Sequence, residues 1–196
     1  MDFDITDRQA IRQYMRAQRN ALSNQQQLSA AKRIAQNAMA SAFFVRAQNI
    51  AVYLANDGEV DPIVLAERGI YRGKQCYLPI LDNVKKGFLQ FADYRSPRKK
   101  NRFGIAEPIS QQTLSPKQLD LVFLPLVAFD RQGGRLGMGG GFYDRTFAFL
   151  SNNGLSKPKL IGLAHSLQEV DGLPLEDWDV PLHAVITEQD VIITNS

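Results

Sequence analysis

The run LDLVFLPLVAFDRQGGRLGMGGGFYDRTFAFL, Leu119 to Leu150, decides the fold. Its opening, LDLVFLP (119–125), is an apolar stretch long enough for a buried central strand. The glycines Gly134, Gly137, Gly139, Gly140 and Gly141 then crowd a short loop, and Phe142 to Leu150 reads as a helix that starts directly out of it. In α/β folds ligands sit at the carboxyl ends of the strands. A glycine-rich turn leading into a helix there offers an anion unpaired backbone N–H groups and the positive end of a helix dipole.

Outward from this unit the same alternation recurs. KLIGLA (159–164) and AVITE (184–188) follow as strands, while NIAVYLA (49–55), QCYLP (75–79) and the alternating GFLQF (87–91) precede it. Asp61 with Pro62 marks a helix start after the first of these, as N-cap and first helical residue. Two helices lead the chain: one over residues 7–20, with a T-x-x-Q box at Thr6 and Gln9 and a sparse stripe of Ile11, Met15 and Leu22. The other opens at a Ser23–Gln26 box and runs to Ala40, with Leu28, Ala31, Ile34, Ala35 and Ala38 on one face. The pattern predicts a single α/β domain over residues 1–196: three layers, αβα, with an open, Rossmann-like, largely parallel sheet, one or two antiparallel strands, and N-terminal helices. Residues 93–102 and 151–158 are the expected flexible segments.

Composition narrows the function classes. The net charge of +3 and pI near 9.0 suit an anionic ligand without choosing among nucleotides, acidic metabolites and nucleic acid. Charge is clustered: Arg8, Arg12, Arg16 and Arg19 stud the first helix, and Arg95, Arg98, Lys99, Lys100 and Arg102 crowd one loop. The single cysteine, Cys76, allows no internal disulfide and no cysteine metal site, and its strand setting predicts a core position. No apolar run is long enough for a membrane helix and the start lacks the order of a secretory signal, so a cytoplasmic protein without a membrane partner is expected.

The glycine loop fits neither familiar phosphate loop. No glycine is followed by Lys and then Ser or Thr, as a Walker A loop needs, and a G-x-G-x-x-G/A fingerprint begun at Gly137 would need a small residue where Phe142 stands. Yet Arg135 before the bare backbone and Asp144 after it form the set that holds a polyphosphate with Mg²⁺. The loop is therefore a nucleotide cradle of another pattern.

That pattern, FDRQGGRLGMGGGFYDR (129–145), closely resembles the C-terminal signature of the 5-formyltetrahydrofolate cyclo-ligases (methenyltetrahydrofolate synthetases), F-D-x-x-G-x-R-L-G-x-G-x-G-[Y/F]-Y-D. The blocks R-x-x-I-R (8–12), VYLANDGEVD (52–61), GIAEP (104–108) and LPLEDWDVPLHAVITE (173–188) extend the resemblance over nearly the whole chain. It implies an enzyme that uses ATP and Mg²⁺ to close 5-formyltetrahydrofolate into 5,10-methenyltetrahydrofolate, releasing ADP and phosphate, through phosphorylation of the formyl oxygen and attack by N10; a monomer is expected. Catalysis then rests on positioning and charge stabilisation.

Residue by residue, the resemblance assigns Arg8, Arg12, Arg135 and the stretch Gly137, Met138, Gly139, Gly140, Gly141, Phe142 and Tyr143 to ATP. It assigns Leu54, Glu59 and Met138 through Phe142 to the folate, Asp144 and Asp179 to Mg²⁺, and Arg135, Tyr143 and Asp144 to catalysis. Spacing alone does not separate Asp179 from Asp171, Glu176 or Asp177. A carboxylate at Glu59 suits the guanidine-like edge of a pterin. Arg16 and Arg19 gain no role, His165 carries no motif, and His183 reads as a surface or strand-edge histidine.

The chain departs from the common R-L-G-R-G-K-G by Met138 and Gly140, so the missing charge must come from elsewhere, with Arg145 or the 95–102 cluster as sources. The departure motivates one alternative, a relative that binds the folate with weak turnover. Under the folate reading the basic loop attracts a polyglutamate tail. A nucleic-acid-binding module built on the basic loop and first helix would leave the glycine loop and Asp144 unexplained, and no nucleic-acid partner is expected.

Overall fold

In the computed structural model, which describes residues 7–101, 104–152 and 157–194, the apolar run forms the middle of the molecule. In chain order the elements are α1 (Arg8–Asn20), α2 (Asn24–Ala40), α3 (Ala42–Arg46), β1 (Asn49–Ala51), α4 (Ile63–Tyr71), β2 (Gln75–Leu81), β3 (Leu89–Asp93), β4 (Arg98–Lys100), β5 (Ala106–Pro108), β6 (Leu121–Pro125), β7 (Ala128–Phe129), β8 (Arg135–Leu136), α5 (Phe142–Phe147), α6 (Phe149–Asn152), β9 (Lys159–Leu163), β10 (Ala184–Ile186) and β11 (Val191–Ile193).

Seven strands make one sheet in the order β11-β10-β9-β6-β1-β2-β3. The inner pairings are parallel and both edges, β3 and β11, are antiparallel. Strand β6 shows why a continuous apolar run suits this position. Leu121 and Phe123 face one layer, with Ile50, Ile34, Ala38 and Leu65, while Val122 and Leu124 face the other, with Ala51, Phe147 and Leu160. Helices α2, α3 and α4 cover the first face and α5 the second, giving the three layers expected.

Strand order reverses between β1 and β6. From β1 the chain passes through α4 to β2 on one side; β6, β9 and β10 build outward on the other. Chains leaving the carboxyl ends of β1 and β6 therefore diverge and open a crevice, the usual ligand position of such sheets. Helix α1 lies beside that crevice, with Ile11 and Met15 packed on Val127, Ala128 and Leu136 of the β7–β8 hairpin.

Several local expectations shift. Asp7 caps α1 by accepting the Gln9 N–H (2.7 Å); the expected cap Thr6 lies outside the described residues. The Ser23–Gln26 box closes α2, but Leu28 is 63% exposed because the buried ridge, Ala31, Ile34, Ala35 and Ala38, runs back to Gln27 instead. Strand β1 leaves the ladder early: Val52 N–H still reaches Tyr77 O (2.9 Å), then the chain turns through positive φ at Asp57 and Gly58. Helix α4 starts at Ile63 with Pro62, not Asp61, at the N-cap; Asp61 stands one residue earlier and its carboxylate accepts the Ile63 N–H (3.0 Å). The expected helix over 142–150 divides into α5 and α6. Cys76 is buried as expected, and burial pushes its thiol up to about 11. Part of the segment expected to be flexible, Arg98–Lys100, is ordered as a hairpin with Ala106–Pro108.

Candidate active site

The crevice is a cavity of about 540 Å³, and every site residue singled out in the sequence lines it. Loop 52–62 after β1 contributes Leu54 and Glu59, the turn after β8 contributes Gly137 to Gly141, α5 contributes Phe142, Tyr143 and Asp144, α1 contributes Arg8 and Arg12, β8 contributes Arg135, and the segment before β10 contributes Asp179.

One end of the cavity is built from guanidinium and carboxylate groups. Arg8 grips Asp179 with two hydrogen bonds (2.8 and 3.3 Å) and donates to Pro174 O (3.3 Å). Arg135, only 6% exposed, donates to Asp144 and to Val180 O, and Asp144 also accepts from the Val180 N–H (3.3 Å). Arg12 donates to Gly137 O (2.9 Å). Its guanidinium is held below its ordinary pKa, first by burial and then by the neighbouring charge of Arg8. Cations crowded this way are relieved by a bound polyanion.

The glycines are required by geometry. Gly139 and Gly141 have φ of 95° and 62°, values that L side chains rarely adopt. A Cβ at Gly140 would lie 2.9 Å from the Phe142 ring, so a lysine there requires that ring to move. Met138 places its sulfur 3.9 Å from Nη2 of Arg19, and an arginine at 138 would bring a second cation toward a buried one. Both departures from the family pattern thus have local partners.

Arg145 is not part of the cavity wall. It donates to Gly87 O (3.0 Å) and Gly140 O, bracing the loop from outside. In the 95–102 cluster, Arg95 pairs with Asp93 (3.0 Å) and Arg98 donates to Tyr94 O (2.9 Å), while Asn101 reaches the cavity. Among the described residues, positive charge on the wall comes from Arg8, Arg12 and Arg135; Arg102 of the cluster lies outside them.

The other end centres on a loop that α1 holds from behind. Arg19, given no role from sequence, is fully buried. It donates through Nε to Asp57 O (2.7 Å), through Nη2 to the Asp57 carboxylate (2.9 Å) and through Nη1 to Leu126 O (3.1 Å). Arg16 and Asn20 complete the grip on Asp57 (2.6 and 3.1 Å). The spacing Ile11, Met15, Arg19 puts this arginine on the buried stripe of the helix, the one signal that could have found it.

Two carboxylates two residues apart respond in opposite directions. The Arg16 hydrogen bond, with help from Arg19 and Asn20, pulls Asp57 down to about 2. Burial pushes Glu59 up to about 7, although Arg19 lies 4.0 Å away and the Asn56 N–H donates to it (3.1 Å). Tyr143 is raised well above its ordinary value, by burial first and by the Glu59 charge second, so it stays a phenol at neutral pH and offers a donor.

His165 is buried with its Nε2 3.3 Å from Gly58 O, backing the same loop. His183 accepts the Leu160 N–H (3.1 Å) at the β9–β10 junction, and burial pulls it down to about 4. Neither histidine lines the cavity.

Asp144 and Asp179 are the metal-capable carboxylates of the wall. Among the described residues no cluster of three or more His, Cys, Asp or Glu side chains is placed to hold a metal. A divalent cation here would therefore complete its shell from phosphate oxygens and water, which is the habit of Mg²⁺ bound by one or two carboxylates. The donor set fits that ion.

An open α/β sheet with a guanidinium-lined glycine loop at its switch point defines a phosphate-handling enzyme. The chain belongs to the 5-formyltetrahydrofolate cyclo-ligase family, whose model matches residues 4–188. It is 42% identical to the 5-formyltetrahydrofolate cyclo-ligases of Haemophilus influenzae and Escherichia coli K12, with 91% and 90% of this chain and 96% and 98% of theirs covered. Among solved structures it resembles the 5,10-methenyltetrahydrofolate synthetase of Aquifex aeolicus (TM-score 0.80, 28% identity, 96% of this chain and 93% of that one). A second is the synthetase of Mycoplasma pneumoniae (TM-score 0.72, 27% identity, 93% of this chain and 99% of that one).

Proposed function

We propose that this chain is a cytoplasmic, monomeric ligase that cyclises 5-formyltetrahydrofolate to 5,10-methenyltetrahydrofolate at the expense of ATP and with Mg²⁺. The formyl oxygen takes the γ-phosphoryl group and ADP leaves; N10 attacks the activated formyl carbon and gives up its proton; the C–O bond breaks and phosphate departs with that oxygen and, in balance, that proton. The observation that carries the reading is a single cavity with an arginine–carboxylate wall at one end and the buried carboxylate of Glu59 at the other.

In this reading Arg8, Arg12 and Arg135 hold the triphosphate, and the glycine turn lets the transferring group approach backbone. Asp144 and Asp179 would hold Mg²⁺, which supplies charge neutralisation on the phosphates when bound. Because each carboxylate is already matched to an arginine, binding MgATP exchanges partners, the carboxylates passing to Mg²⁺ and the arginines to the phosphates, with Arg12 offsetting part of the negative charge that MgATP brings. Glu59 accepts from the pterin edge, Leu54 and Phe142 face its rings, and the neutral Tyr143 phenol donates near the reacting oxygen. Lys99 and Lys100, exposed on the β4–β5 hairpin, favour a polyglutamate tail leaving the cavity past Ala106 and Glu107.

The test is the near-ultraviolet absorbance of the methenyl product after mixing protein, 5-formyltetrahydrofolate, ATP and MgCl₂. A rise that needs both ATP and Mg²⁺ and disappears in Asp144→Ala is expected. Folate binding without any rise would instead support a binding protein, the reading that Met138 and Gly140 motivate.

A further inference from the structure

The only tryptophan of the chain, Trp178, is 68% exposed at the lip of the cavity. An indole is a large apolar surface, and at a ligand site such a face is normally covered by a flat partner. Its position is built. Residues 176–179 form a turn closed by the Asp179 N–H on Glu176 O (2.9 Å) and by the Glu176 N–H on the Asp179 carboxylate (3.0 Å). Trp178 stands within that turn, and the segment is anchored on both sides: Arg8 holds Pro174 O and Asp179, Arg135 holds Val180 O, and Asp144 accepts from the Val180 N–H.

These anchors are the groups to which the preceding section gives the triphosphate and Mg²⁺. Glu59, given the pterin, hangs from another loop fixed by Arg16, Arg19 and Asn56. Of the ring systems that enter this cavity, the pterin and the p-aminobenzoyl ring belong to the folate, and the purine alone is joined to the phosphates.

We propose that the Trp178 indole is the stacking platform for the adenine of ATP, a binding role that rests on the ligase reading for its ligand. A purine over the indole covers a face now open to water, and the turn that presents Trp178 shares Asp179 with the proposed Mg²⁺ site. Base and phosphates are then read by adjacent residues.

Because the chain has one tryptophan, its emission reports this face alone. MgATP added without folate should quench or shift that emission saturably, while Mg-tripolyphosphate, which has no base, should leave it nearly unchanged. In steady state, Trp178→Ala should raise KM for ATP roughly tenfold, the scale of one aromatic–base stack, with KM for the folate within about twofold, and Trp178→Phe should recover most of the loss. The proposal is overturned if MgATP leaves the emission unchanged. It is equally overturned if the folate alone causes the change and Trp178→Ala raises KM for the folate instead. Quenching by MgATP in a protein that makes no methenyl product would retain the platform and reject the ligase reading, so the two failures are distinguishable.

Discussion

Helix α1 carries four arginines on a near-regular spacing, and its two halves use them differently. Arg8 and Arg12, in the first turns, meet Asp179 and a glycine-loop carbonyl on the wall of an open cavity. Arg16 and Arg19, two turns later, are committed to Asp57, and Arg19 has no solvent exposure at all. The residue type is the same, so the difference lies in what each guanidinium would lose by changing partner. Arg8 can trade one anion for another within reach of water. Arg19 cannot, because its donors go to backbone and carboxylate groups in the interior, where an unmatched charge is costly. One half of the helix binds; the other holds the loop that positions Glu59.

The sharpest way to break this comparison is to remove one arginine from each half. Arg19→Met should lower the free energy of unfolding by about 3 kcal/mol, the scale for stripping one partner from a buried ionic cluster, seen as a lower urea midpoint with an unchanged slope. Arg8→Ala should cost no more than about 1 kcal/mol of stability but reduce kcat/KM for ATP on the order of 10²-fold. Were both variants to lose mainly stability, the first turns of α1 would be structural like the rest.

A smaller effect separates the two carboxylates of the Glu59 loop. Glu59 titrates near 7 in the folded chain against an ordinary 4.5, so between those values the folded state keeps a proton that the unfolded state has released. Its contribution to stability is complete below 4.5 and declines as pH rises to 7. Asp57, held near 2 against 3.8, behaves in reverse: its contribution is complete above 3.8 and is lost as pH falls through 2. Unfolding free energies measured from pH 4.5 to 7.5 should therefore fall more steeply in the parent than in Glu59→Gln. Folate affinity should move the other way, rising through pH 7 as the accepting carboxylate forms; a flat affinity profile would remove Glu59 from pterin recognition.

How much of this was legible in the sequence depends on the distance over which each feature is determined. The glycine turn, the β6 run and the Ser23–Gln26 box are local, written within a few residues, and they appear where the sequence puts them. The residues drawn from the family pattern come from four separate blocks, yet they converge on one cavity because the switch point gathers the carboxyl ends of β1 and β6. What was not legible is set by partners far along the chain. Arg19 is buried because Asp57, Leu126 and Met138 surround it, and periodicity alone cannot say that a charge on an apolar stripe will find such company. Strand β1 ends at Ala51, with one further bond from the Val52 N–H to Tyr77 O, although its composition would continue the strand. Residues 93–102 read as a flexible basic segment, and the strand that Arg98–Lys100 forms with Ala106–Pro108 was not legible because the pairing of Lys99 with Glu107 gives no apolar alternation.

That hairpin supports the smallest prediction. Arg98 is occupied: its Nη2 donates to Tyr94 O (2.9 Å) and its guanidinium lies 4.8 Å from the Tyr94 ring. Lys99 and Lys100 are exposed opposite Glu107 and Ala106, two residues that line the cavity. If a chain of carboxylates leaves the cavity along this ribbon, the lysines should carry the attraction and Arg98 little of it. Exposed pairs of this kind contribute about 0.2–1 kcal/mol each, so Lys99→Gln with Lys100→Gln should weaken a polyglutamylated folate by a few-fold at low salt, with the difference fading as ionic strength rises. The monoglutamate should be unaffected by the same change. Equal losses for both substrates would mean that the lysines act on the shape of the cavity, and the division between a wall that binds phosphates and a rim that binds the tail would have to be redrawn.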